Sequence, residues 1–102
     1  MLTVETQRRI DALFPPQERE EASELLDRDC GTNLPFCENS SPESLERIRF
    51  AALKISRGKL ERLLDAVLLA QTDWRDLLMA AGFGEDISAH ERWFPGAADR
   101  ET

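Results

Sequence analysis

Tyrosine is absent from this chain, histidine occurs once and cysteine only twice. Each shortage excludes something. With His90 as the sole imidazole, a cysteine or serine nucleophile has one candidate base, and a zinc site of cysteines and histidines is hard to assemble. No apolar run approaches the roughly 20 residues that span a bilayer, so no membrane segment is expected. The opening "MLTVETQRRID" lacks the basic-then-apolar pattern of a signal peptide, and the expected compartment is the cytoplasm, where thiols stay reduced. Basic residues are also in deficit. Thirteen lysines and arginines face twenty acidic residues, a formal charge of −7 that repels phosphate backbones and argues against a nucleic-acid partner. There is no glycine-rich phosphate loop; "GFGED" reads as two helix-ending glycines around Phe83.

What the chain has in quantity is helical spacing. Its 102 residues suffice for one domain, and 41% apolar with 32% charged residues is a globular balance. Thr3 is placed to cap a first helix whose inward positions are Thr6, Ile10, Leu13 and Phe14, stopped by Pro15 and Pro16. A second helix runs from near Pro16 to about Asp29, carrying Ala22, Leu25, Leu26 and Cys30 at helical intervals. Gly31 suits a left-handed stop after it. "CGTNLPFCENSS" is then a connector anchored by Leu34 and Phe36.

Ser41 followed by Pro42 opens a third helix with a stripe of Leu45, Ile48, Ala52 and Ile55. Phe50 and Leu53 lie to the side of that stripe, so this helix is expected at the centre, contacted from two directions. After a break at 56–58, Leu60, Leu63, Leu64, Val67 and Leu68 make the cleanest amphipathic face in the chain, with Leu69 nearly opposite. Thr72 or Asp73 caps the next segment, which places Trp74, Leu77, Leu78 and Ala81 inward and ends at Gly82 with Phe83 packed behind it. A last short helix over "ISAHERWF" is capped by Asp86 and stops at Pro95. The expected fold is all-α: a compact bundle of five or six helices with mostly antiparallel neighbours, one domain over 1–95 and a frayed tail over 96–102.

Cys30 and Cys37, with six residues between them, pose the sharpest chemical question. A metal reading would need two further ligands, and only distant His90 or a carboxylate such as Glu38 offers itself. A disulfide is sterically feasible, but a reducing compartment opposes it. The simplest reading makes both thiols reduced packing residues. His90, flanked by Glu91 and Arg92, is expected at the surface. No metal, cofactor or catalytic set is expected, and the chain is not read as an enzyme.

Charge is unevenly spread. Residues 1–41 hold nine acidic and four basic residues, 42–63 hold three and six, and 64–102 hold eight and three. The basic middle (Arg47, Arg49, Lys54, Arg57, Lys59 and Arg62) is expected to pair with the acidic helices on either side. A helix-turn-helix around "LKISRGKLERLL" fails, because its second helix is leucine-rich where base-reading polar residues belong. Leu69, Met79, Trp93 and Phe94 fall outside the main apolar stripes or at the end of the last helix, and are the candidate contact residues for a partner. Together these features suggest a non-catalytic, acidic, helical protein-interaction or regulatory module, its partner another protein or a second copy of itself. The alternative is a thiol-based redox or metal-binding protein centred on Cys30 and Cys37.

Overall fold

The computed structural model describes residues 2–31, 33, 34 and 41–95. Among them are five helices and no strand: α1 Val4–Leu13, α2 Pro16–Asp29, α3 Pro42–Ser56, α4 Leu60–Ala81 and α5 Ala89–Arg92. The all-α architecture read from the spacing is what the chain adopts. Phe36, Cys37 and residues 96–102, with the expectations attached to them, lie outside the described residues.

The boundaries follow local chemistry. Thr3 Oγ1 accepts the Thr6 N–H at 3.1 Å, and Ser41 Oγ accepts the Ser44 N–H at 3.2 Å. Each satisfies a donor that the first helical turn leaves without a partner. Pro16 and Pro42 occupy first-turn positions, where a missing N–H costs nothing. Helix α3 ends in two left-handed residues, Arg57 at φ 52° and Gly58 at φ 80°. Gly82, at φ 81°, ends α4 in a Schellman arrangement: its N–H bonds the Met79 carbonyl, and the Phe83 N–H reaches back to Leu78 at 2.9 Å. Within α4, Asp73 leaves helical geometry (φ −157°, ψ 97°), and its Oδ1 accepts the Arg75 N–H at 3.1 Å. The expected cap therefore exists, as a break between two segments of one helix.

Gly31 is a correction. Its backbone is not left-handed, and α2 ends through Cys30 at φ −129°. The residue is small for a different reason: a Cβ there would come within 3.1 Å of an Arg49 Nη2 atom. Arg49 passes this close because its Nε donates to the Cys30 carbonyl at 2.8 Å.

Helix α3 is central, meeting α1, α4 and α5, with α4 its most extensive partner. It buries Leu45, Ile48, Phe50, Ala51, Ala52 and Leu53, positions spread around most of its circumference. Ile10 from the first helix and Phe14 just past its end, Leu26 from the second, and Leu63, Val67 and Leu77 from the fourth belong to the same core. Each of these large side chains contributes about 1.5–3 kcal/mol on leaving water. Leu34 is buried as expected.

Three residues of the basic stretch depart from expectation. Arg47, Arg49 and Lys54 turn to main-chain carbonyls rather than to carboxylates. Arg47 donates to Phe83, Arg49 to Cys30, and Lys54 Nζ to Ala81 at 2.9 Å, with its ammonium 5.0 Å from the centre of the Phe83 ring. The C-terminal carbonyls of α2 and α4 need donors, and a long cationic side chain on the neighbouring helix supplies them. Arg19 does the same at the end of α1, bonding the Asp11 and Phe14 carbonyls at 2.9 Å each. Buried Arg9 grips the Trp93 carbonyl with two N–H groups, at 2.8 and 3.1 Å, and lies 4.0 Å over the Phe50 ring.

Candidate functional site

Helix α4 carries more leucine than its neighbours can cover. Before the break at Asp73 its buried positions are Leu63, Ala66, Val67 and Ala70, the i, i+3, i+4, i+7 pattern of a face turned to the core. Leu60, Leu64 and Leu68 form the next column around the helix. Leu60 is half-buried, whereas Leu64 and Leu68 are 46% and 51% exposed. The amphipathic face assigned to the core is thus split. Helix α2 stands alongside and contributes half-buried Leu25. Between the two runs a groove of about 370 Å³, lined by Leu25, Leu60 and Leu64 with Glu21, Glu24, Glu61 and Arg28 along its edges.

The electrostatics of the groove are one-sided. Among the described residues, Glu21, Glu24 and Glu61 make no ion pair, while Arg28 is held by its neighbour Asp29 at 3.0 Å. Asp65, exposed one turn beyond Glu61, extends the acidic edge beside Leu64 and Leu68. An apolar floor with a charged rim is a layout that protein–protein interfaces share.

The contact candidates taken from the sequence do not converge here. Leu69 is half-buried and packs against the core rather than pointing away from it. Met79 is 63% exposed, its thioether lying over the Gly84 turn. Trp93 is half-buried, its ring centre 6.2 Å from Phe50 and 6.3 Å from Phe83. Phe94 is 44% exposed, but the Arg8 and Arg9 guanidiniums lie over its ring at 5.4 and 5.1 Å. Cys30 is fully buried within the core, and Cys37 lies outside the described residues.

His90 is a correction. It is buried, not exposed, because the short α5 turns its ring inward against Phe50 (5.5 Å between ring centres) and Phe83 (6.4 Å). Its Nδ1 has no hydrogen-bond partner among the described residues. Burial lowers its pKa below the ordinary imidazole value, against the opposing pull of Glu91 and Glu46. His90 also lines a hollow that it shares with Glu43, Ser44, Arg47, Ile87, Ser88 and Glu91. Close by, Asp86 accepts from Arg92 Nη2 at 2.6 Å and from the Ser88 N–H and hydroxyl, which brings its carboxyl down to about 2. No group of three or more histidine, cysteine or acidic side chains among the described residues is arranged to hold a metal ion. Nor is any helix among them long and apolar enough to cross a membrane.

No protein family matches this chain, and neither the curated proteins nor the solved structures provide a significant match. The character of the site rests on its own residues.

Proposed function

We propose that this protein is a non-catalytic interaction module that receives another protein in the groove between α2 and α4. One observation carries the reading: half-exposed Leu64 lines a groove together with Leu25 and Leu60, and Leu68, one turn further along α4, is about as exposed. Single exposed leucines are ordinary, but a row of them beside a concave apolar surface marks an interface. The thiol alternative is less well supported, since full burial of Cys30 shields its sulfur from solvent-borne reagents and partners.

Site-specific photo-crosslinking in cells tests the proposal. A benzophenone side chain at Leu64 is expected to give a discrete adduct with another protein, and the same group at exposed Arg92 none. Adding Leu25→Asp and Leu68→Asp should abolish the adduct. Equal crosslinking from both positions, or a Leu64 adduct indifferent to those two changes, would remove the groove from consideration.

A further inference from the structure

We infer that the occupant of the groove is a basic amphipathic α-helix belonging to another protein, an inference that rests on the groove being the interface.

The shape of the site selects a helix. Leu60, Leu64 and Leu68 repeat every four residues along α4, a row about 12 Å long at the helical rise of ~1.5 Å per residue. Leu25 on α2 lines the groove opposite Leu60 and Leu64. Side chains one turn apart form a ridge into which the i, i+4 side chains of another helix interdigitate. The other common modes of peptide capture do not suit these walls. Strand addition needs a sheet edge with unpaired main-chain groups, and both walls are helices whose main chain is already bonded internally. Polyproline recognition uses aromatic-lined grooves, and no aromatic among the described residues lines this one.

Charge selects the partner. Glu21 and Glu24 stand on one wall and Glu61 on the other, with Asp65 continuing the second row. The cation at the rim, Arg28, is already engaged by Asp29. A helix with leucine-sized residues on one face and lysine or arginine on both flanks would bury the first against Leu25, Leu60, Leu64 and Leu68. Its flanks would meet the carboxylates at the edge. A second copy of this chain would instead bring the acidic rim against itself, in a molecule of formal charge −7. An acidic helix would meet the same repulsion.

The test titrates isotopically labelled protein with three stapled peptides of about 16 residues, long enough for a stable helix when braced. One carries leucines at i, i+4 spacing flanked by lysines, the second has each lysine replaced by glutamate, and the third is a scramble of the first. The lysine peptide is expected to shift amides confined to Glu21–Arg28 and Leu60–Leu68. It should bind at least about tenfold more tightly than the glutamate peptide at low salt, with the gap narrowing as salt is raised. Leu64→Ser with Leu68→Ser should weaken it about tenfold or more, while the melting temperature holds. Glu21→Lys, Glu24→Lys and Glu61→Lys together should reverse the preference between the two peptides.

Equal or tighter binding of the glutamate peptide at these same residues would overturn the basic partner while leaving the groove as an interface. Self-association abolished by Leu64→Ser would do likewise, with a second copy as the occupant. Shifts centred elsewhere, indifference to the leucine changes, or no shift with any peptide would overturn both the inference and the reading beneath it.

Discussion

Arg9, Arg19, Arg47, Arg49 and Lys54 all give N–H groups to a main-chain carbonyl at or just beyond the end of a helix. Arg49 is the most enclosed case with a single acceptor. Replacing it by methionine keeps most of the volume but strands the Cys30 carbonyl, and should cost about 2 kcal/mol in urea unfolding. His90 gives the fold a pH dependence. Its folded pKa lies below the ordinary 6.5, so the neutral ring is the form that the native state holds. Its contribution is complete above that value and is lost as pH falls below it, because the unfolded chain takes up a proton that the folded one refuses. Urea midpoints should therefore drop between about pH 7.5 and about pH 5.5 by more in the native protein than in His90→Leu. Asp86 is a separate check. Its carboxyl should titrate at about 2 by carbon-detected NMR and return toward 3.8 in Arg92→Gln.

At the scale of elements, Asp73 divides α4, and its carboxylate closes the first turn of the segment that follows. Asp73→Ala should cost about 1 kcal/mol and lower the melting temperature by roughly 4–8 °C in a chain of this size. This break, the starts at Pro16 and Pro42 and the stop at Gly82 are all legible in the sequence, because caps and prolines act through atoms a few positions away. What is not legible depends on contacts far along the chain. Spacing shows that Leu60, Leu63, Leu64, Val67 and Leu68 share a broad face, but not that the core ends between Leu63 and Leu64. Which column is covered depends on where α2 and α3 lie. Gly31 likewise answers to a guanidinium eighteen residues on, and His90 to two phenylalanines in other elements. Spacing therefore marks every leucine of the groove without revealing the groove itself; an apolar face wider than a helix needs for one neighbour is the signal it does offer.

For the molecule as a whole, the boundary between core and exposed surface falls between adjacent residues, Leu63 being fully buried and Leu64 46% exposed. Leu63→Ala should destabilise by about 2–5 kcal/mol, whereas Leu64→Ser should stay within about 0.5 kcal/mol of the native protein in the same denaturation assay. An equal loss at both would mean that Leu64 belongs to the core. A different consequence follows from Arg9, whose guanidinium holds the carbonyl of a residue 84 positions further on. Within α1 the same cation is held at 2.9 Å by the Glu5 carbonyl and carboxylate, and the Trp93 carbonyl joins them only once residue 93 has been made. A nascent chain arrested short of residue 93 therefore has only the Glu5 half of this clamp.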